Sequence, residues 1–451
     1  MRSPSFSGLA GIARKDITPP VGIFARNWGA ATHETAEGVH LPLTLTCITF
    51  QTDAAAAPLV LISADLGWWK SAEDERQLRQ GILQATGLDA ARLMCCLTHT
   101  HAGPSTFSED AHKPGGHLIQ PYLRQVRESA IAAVREALAG AAPATLTWQY
   151  GQCDLAVNRD LPHEDRYVVA FNPNTPADQT LLVGRITGRY GILGTIVNYA
   201  CHPTTLAWNN KLLSPDYVGA MREVVEAATS APCLFLQGAS GDLSPREQYS
   251  GDTALADAHG RQLAFSVLSV LEGMLPAGQE LAFTGIVASG APLGIWEKKP
   301  FAAATTLQAE MALVSLPLKD LPPLEEIERA WAACEDHVLK ERLWRQRGIR
   351  KTVGDGAEAA MPLWVWRLGN SLLLGQPNET YSIFQQTLRE SCAPFAVAVM
   401  NIVNGYAGYL PPAESYNHHS YAVWQTPFKQ GALEILTGTA QAISQRLMTT
   451  A

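Results

Sequence analysis

Four short apolar runs in this chain each end abruptly in polar residues, and that pattern constrains the fold more than any other feature. Residues 58–65, 92–98, 191–199 and 233–237 are short, and their aliphatic and β-branched residues are those of buried strands. Helical spacing fills the stretches between them. Residues 71–86 place Leu78, Ile82 and Leu83 on one face behind Ser71, a residue suited to an N-cap. Residues 122–138 repeat the pattern with Leu123, Val126, Ile131, Val134 and Leu138, and residues 216–229 read as a third helix. Strands alternating with helices argue for an α/β domain. Ligands in such domains gather at the carboxyl ends of strands, which is where the polar residues fall.

Further along, the pattern predicts a strand within residues 281–292 and a charged amphipathic helix over 324–347. A glycine-containing polar loop follows over 350–360, then an alternating stretch over 363–374, and a last helix from Gly431 to about Met448. No repeat and no linker divides the chain, so residues 1–451 are expected to form one domain. With 47% hydrophobic and 17% charged residues, the chain has enough apolar matter for a sizeable core. Its 34 basic and 42 acidic residues leave a net charge of −8, which argues against nucleic-acid binding by phosphate neutralisation. No apolar run reaches the roughly 18 residues of a membrane span. The N-terminus lacks the apolar core of roughly 7–15 residues that a secretory signal needs. The eight cysteines are dispersed without a CxxC pair and read as small buried hydrophobes, so a cytoplasmic protein is expected.

The segment Thr98-His99-Thr100-His101-Ala102-Gly103-Pro104 is the sharpest chemical signal. On a strand, residues i and i+2 share a face, so His99 and His101 would project into one site. Imidazole is a common zinc ligand, although an HxH pair also occurs as a hydrogen-bonded surface or core pair. Cys201-His202-Pro203 sets another histidine at the end of a different apolar run, where a lone histidine is often structural. Catalytic zinc commonly adds a carboxylate, and Glu379 is a candidate; alone it reads as an acid at a helix N-terminus. The glycine-rich turn from Gln237 to Arg246 contains Ser240 and Ser244 and fits either an anion-facing N–H cradle or an ordinary tight turn. It is neither a P-loop nor a G-x-S-x-G elbow. Tyr406, Tyr409, Tyr416 and Tyr421 crowd a loop-like segment, as a pocket wall or as packing.

Together these pieces resemble the catalytic domain of the neutral/alkaline, non-lysosomal ceramidases. Gly11-Ile-Ala-Arg14-Lys-Asp16-Ile-Thr-Pro-Pro looks like that family's opening strand and turn. The 98–104 segment resembles its His-Thr-His-Ser-Gly-Pro signature, Asn158-Arg159 its Asn-Arg element, and Asn198-Tyr-Ala-Cys-His202-Pro its later histidine. Gly241-Asp-Leu-Ser244-Pro, Gln376-Pro-Asn-Glu379 and the tyrosine segment through Tyr421 follow in the family's order. Ala102, Asn378 and Pro411-Pro412 depart from the pattern, and one helix past Tyr421 leaves no counterpart of the family's C-terminal immunoglobulin-like domain.

The resemblance implies a mixed β-sheet core with flanking helices and a zinc-dependent amidohydrolase of linear amides. One Zn²⁺ per chain would be held by His99, His202, Glu379 and Tyr409. Ser244 would be the active-site serine, as nucleophile or as a group that positions water, and His101, Arg159 and Tyr421 would contact substrate. Zinc lowers the pKa of its water to about 7, and donors such as His101 or Tyr421 stabilise a tetrahedral oxyanion. The expected partner is a small-molecule or lipid-like N-acyl amide other than long-chain ceramide. An ester or lactone cleaved at the same site is the alternative within enzymes, and an inactive metal- or lipid-binding module the alternative outside them.

Overall fold

The computed structural model describes residues 2–449. Its centre is an eight-stranded sheet made of β1 (Ser5–Asp16), β2 (Thr44–Gln51), β3 (Leu59–Ala64), β4 (Leu93–Leu97), β5 (Ala142–Gln152), β6 (Thr180–Gly188), β7 (Gly191–Tyr199) and β8 (Cys233–Gln237). The spatial order is β8-β7-β6-β5-β1-β2-β3-β4. The five inner pairings are antiparallel, whereas the outermost pairs β3/β4 and β7/β8 are parallel. A parallel pair needs a crossover, and helices α1 (Ala72–Thr86) and α3 (Tyr217–Thr229) supply the two. The sheet therefore carries one βαβ unit at each end.

Side chains alternate along these strands. On β4, Leu93, Cys95 and Leu97 face α1 and α2 (Ile119–Ala139), while Met94 and Cys96 face inward. On β7 and β8, Val197 and Phe235 face α3 and α4 (Thr253–Gly273), while Ile196 and Leu234 face inward. The inward face packs on a second sheet of β9 (Leu307–Pro317), β10 (Glu358–Leu368), β11 (Ser371–Gly375) and β12 (Ala396–Met400). Trp364, Trp366, Leu373 and Ala398 meet the large sheet, and Leu363, Val365, Leu372 and Val397 meet helices α7 (Ser382–Ser391) and α8 (Ala432–Thr449). The layers run helix, sheet, sheet, helix.

The large sheet curves until its two ends meet. Ser63 on β3 donates to the Phe235 carbonyl on β8 at 2.5 Å. Arg222 on α3 forms a buried bidentate pair with Asp65, just past β3, with one contact at 2.8 Å. Residues 401–404, leaving β12, bridge the gap. Asn401 donates its backbone N–H to Gln237 at 3.0 Å, and Ile402 accepts from Leu97 at 3.3 Å. The Asn404 side chain accepts from the Cys95 N–H at 2.8 Å and donates to the Leu93 carbonyl at 2.8 Å, so it stands in for a missing strand partner. Asn404 does this from a left-handed backbone, φ 50°, which asparagine tolerates better than most residues.

The expected strands lie within about a residue of those observed, and Ser71 caps α1 through the N–H groups of Glu73 and Asp74. Two local expectations fail. The 324–347 helix is broken into α5 (Leu324–Ala333) and α6 (His337–Val353), because the Asp336 carboxylate caps a new helix by accepting from Leu339. That second helix runs through residues 350–353, where a loop was expected. The 363–374 stretch is a hairpin turning at Gly369, φ 57°. Residues 281–292 belong to a hairpin, Gln279–Ala288 with Pro292–Pro300, that leaves Phe283, Ile286 and Trp296 exposed. The cysteines are free, and all but the partly exposed Cys334 are buried.

Removing one partner of a buried ion pair strands the other charge. Arg222→Leu is therefore expected to lower stability by about 3–5 kcal/mol, and Asp65→Asn added to it should recover part of that loss. Urea midpoints of the three proteins test this; an unchanged midpoint for Arg222→Leu would show that the pair does not hold the sheet ends together.

Candidate metal centre

Both βαβ ends of the sheet deliver histidines to one place. Beyond β4, Thr98 and His99 donate their N–H groups to Ala64 and Leu66, each at 2.9 Å. The chain then leaves the extended conformation at His99, φ 70°. The strand alternation expected to aim His99 and His101 together is thus absent. The turn aims them instead, and the His101 ring packs between Trp28 and Trp68, with centroids 5.0 and 4.9 Å away. Beyond β7, His202 lies against the glycine-rich turn that follows β8.

Hydrogen bonds fix the ring tautomers. His99 Nδ1 faces the Gly67 carbonyl at 2.9 Å, and His202 Nδ1 faces the Ser240 carbonyl at 2.7 Å. A carbonyl only accepts, so each Nδ1 carries the proton and each neutral ring offers a lone pair at Nε2. These two Nε2 atoms lie 3.2 Å apart. Glu379 Oε2 lies 2.8 Å from the His202 Nε2 and 3.5 Å from that of His99. Three lone-pair atoms thus converge in a buried place that favours a cation. The glycine-rich turn serves this arrangement through its carbonyls rather than as an N–H cradle.

Glu379 sits on the short strand Glu379–Thr380, paired in parallel with Tyr409–Leu410. It precedes α7 by three residues and is not that helix's N-terminal acid. Tyr406 donates to its other oxygen at 2.8 Å. Burial alone would raise the Glu379 carboxyl, but the charge of His99 and hydrogen bonds from His202 and His99, made when these rings hold a second proton at Nε2 in place of a cation, keep it well below the usual carboxylate range. Burial, with Arg159 nearby, lowers His202 to about 4. Burial likewise depresses His101, and both of its ring nitrogens are buried with no hydrogen-bond partner among the described residues. His99, His101 and His202 offer ring nitrogens all within 4.8 Å of one another, a group that fits a metal ion.

Tyr409 stacks on His202 with centroids 6.5 Å apart, and its hydroxyl accepts from Arg159 at 2.9 Å. Arg159 is buried and also donates to the Gly241 carbonyl at 2.9 Å. Burial, with the Glu379 carboxylate beside it, pushes the Tyr409 hydroxyl above its ordinary value, and Arg159 opposes that shift. Tyr421 lies beside Tyr409, with centroids 5.7 Å apart, and accepts from Arg345 on α6 at 2.9 Å. Ser244 is fully buried on the strand Leu243–Pro245, paired with Ala156–Asn158; its hydroxyl makes one long contact, 3.5 Å, to the Pro245 carbonyl.

His99, His101, Glu379, Tyr409 and Tyr421 line a common cleft, whose outer wall is built by Trp68, Lys70, Phe107, Trp344 and Arg345. Ser244, Arg159 and His202 lie behind that surface. Tyr406 was read from the sequence, with the other tyrosines, as a pocket wall or as packing and given no role of its own, and the outer wall was not singled out. Tyr406 at least stands in the tyrosine segment, whereas α6 reads as an ordinary charged helix.

No family model and no curated protein matches the chain. Solved structures do, two ceramidases among them. One is described as "Ceramidase complexed with C2", with a TM-score of 0.70 and 17% identity over 100% of this chain and 77% of that one. The other is a neutral ceramidase from Pseudomonas aeruginosa, with a TM-score of 0.67 and 18% identity over 99% of this chain and 75% of that one. The α/β architecture with its mixed central sheet is therefore the fold of the neutral ceramidase structures, over the full length of this chain.

Proposed function

We propose that this protein is a zinc-dependent hydrolase of amide bonds in N-acyl compounds. One Zn²⁺ would be held by His99, His202, Glu379 and Tyr409. The observation that carries the reading is the convergence of His99 Nε2, His202 Nε2 and Glu379 Oε2, three acceptors at 2.8–3.5 Å with both Nδ1 protons spent on carbonyls. That donor set fits zinc, which takes imidazole and carboxylate, and carbonyl partners at the far ring nitrogen are how metal-binding histidines are held. The fold of neutral ceramidases supports the amide class. When bound, such an ion supplies Lewis acidity and a water of lowered pKa.

The chain's own residues divide the remaining work. Arg159 holds the Tyr409 oxygen and favours its ionised form, acting as a positioning residue for the metal-facing ligand. Tyr406 orients Glu379. His101 keeps a neutral ring with unpartnered nitrogens, free to hydrogen-bond the scissile amide. Tyr421, polarised by Arg345, is placed to donate to a developing oxyanion. Ser244 belongs to the turn that clamps His202; we assign its hydroxyl a supporting place in the reaction, to be tested directly. The cleft carries Lys70 and Arg345 close to the histidines, which disfavours a long neutral lipid such as ceramide.

His202→Ala and Glu379→Gln should each lose most bound zinc by elemental analysis, whereas His101→Ala should keep it and lose about 10²–10³-fold in kcat. Zinc lost in His101→Ala but kept in Glu379→Gln would replace the proposed ligand set with the three histidines.

Acid should release the metal late. The His202 pKa is depressed to about 4 from an ordinary 6.5, so the ring keeps its lone pair well below neutrality. The unfolded chain binds this proton at higher pH than the folded one, so the folded state loses stability as pH falls from 6.5 towards 4. Stepwise dialysis with elemental analysis should find zinc retained at pH 6; loss centred at 6.5 would refute the depressed value.

Ser244→Ala should keep zinc and slow turnover. Wild-type kcat would remove the hydroxyl from the reaction, and an acyl-enzyme on Ser244 seen by mass spectrometry would make it a nucleophile.

A further inference from the structure

The outer wall of the cleft contains a cation that the proposed chemistry does not use. Lys70 follows Trp68 and Trp69 beyond β3 and is only partly exposed. Its ammonium has three N–H donors, and the one side-chain acceptor it meets among the described residues is Asn27 Oδ1 at 3.0 Å. No carboxylate among the described residues lies within ion-pair distance of it. The ammonium sits 5.3 Å from the ring centroids of both Trp68 and Trp344, between two indole faces. The other cations of the wall are satisfied: Arg345 pairs with Glu341 at 3.2 Å, and Arg347 with Glu109 and Glu328 at 2.8 and 2.9 Å. Lys70 is one indole away from the histidines, because Trp68 also packs on His99 and His101.

We infer that Lys70 is a carboxylate-binding subsite, and that the substrate is an N-acyl compound carrying one carboxylate and a flat or short apolar body seated between Trp68, Phe107 and Trp344. This rests on the proposed amide hydrolysis for its reaction, but not for its binding site. One unpaired ammonium with two free N–H groups matches a monoanion in charge and in donor count; a phosphate dianion would be left half neutralised. Aromatic faces on both sides suit contact with a planar or short apolar group and favour the cation electrostatically. Burial pulls the Lys70 ammonium down to about 8 despite the attraction of Asp110 and Glu341, which Lys113 and Arg345 oppose, and a carboxylate bound within hydrogen-bond distance would work against that shift.

The test uses the full-length protein, with and without zinc, and two probes of one shape: phenylacetate and phenylacetamide. Isothermal titration at pH 7 should show phenylacetate binding about tenfold or more tighter than phenylacetamide in both metal states, since a charge-assisted hydrogen bond is of that order. Lys70→Met should abolish the preference by weakening phenylacetate alone, and Lys70→Arg should restore most of it. Equal binding of the two probes, or a preference that survives in Lys70→Met, would overturn the subsite. Turnover is read separately with N-acetylphenylalanine and N-acetylphenylalaninamide on the zinc form. Preference for the acid that disappears in Lys70→Met supports the substrate class; preference for the amide overturns it. No hydrolysis of either, with carboxylate binding intact, would reject the amidase reading while leaving the subsite standing.

Discussion

The meeting of the two ends of the large sheet is the constraint on which everything else depends. His99 and His101 follow its fourth strand and His202 its seventh, and these strands belong to opposite ends of the spatial order. In a flat sheet they would be separated by the width of six strands. Curvature brings them within hydrogen-bond reach of each other, and three kinds of contact hold it: the Arg222–Asp65 pair, the Ser63 hydroxyl on the Phe235 carbonyl, and the 401–404 bridge. The bridge also places Glu379. Residues 376 and 401 are joined through the Gln376 and Asn401 side chains at 2.7 Å, so the strand that carries the glutamate is tied to the segment that closes the sheet.

Closure alone would only bring rings together; the carbonyls decide what the rings can do. Gly67 and Ser240 each take a proton from the far side of a ring, and the near sides are left as acceptors facing each other and a carboxylate. Such an arrangement without a cation needs a shared proton to avoid lone-pair repulsion, and burial makes that proton expensive, as the depressed His202 shows. A divalent ion resolves both difficulties at once. On the proposed metal reading, the carbonyls of Gly67 and Ser240 would select the occupant as much as the ligands do.

Much of this was legible in the sequence. Short apolar runs ending in polar residues located the strands, since buried strands need that composition and their carboxyl ends face the site. The βαβ units followed from helical spacing between such runs. The curvature was not legible, because it depends on contacts such as Asn404 with Cys95, which lie 309 residues apart. The break between α5 and α6 was missed because one aspartate cap outweighed a continuous charged pattern. His99 and His101 were placed together for the wrong reason: the expected alternation gave way to a left-handed turn at His99, a conformation that spacing does not announce. Trp344 and Arg345 were invisible as site residues, since a helix face that lines a cleft looks like any other amphipathic face.

Charge distribution then separates the cleft into two parts. At its base, Glu379 meets the histidines and the Tyr409 ring stacks on His202, while the buried Arg159 cation rests on the Tyr409 oxygen and on a carbonyl. With an ionised tyrosine, a divalent ion there would balance the two anionic ligands proposed for it, and the base would need no charge from the substrate. At the mouth, Arg345 and Arg347 pair with acids, whereas Lys70 pairs with no carboxylate among the described residues, Asp110 and Glu341 acting on it only from beyond ion-pair distance. A neutral acyl amide would bury that ammonium further without a partner, and the cost of desolvating it would fall on binding. A substrate whose charge complements Lys70 turns the same burial into affinity, and its orientation follows, with the anion at the mouth and the amide towards the histidines. The aromatic wall and the unpaired lysine are thus two parts of one selection, by shape and by charge, made outside the layer where the chemistry is done.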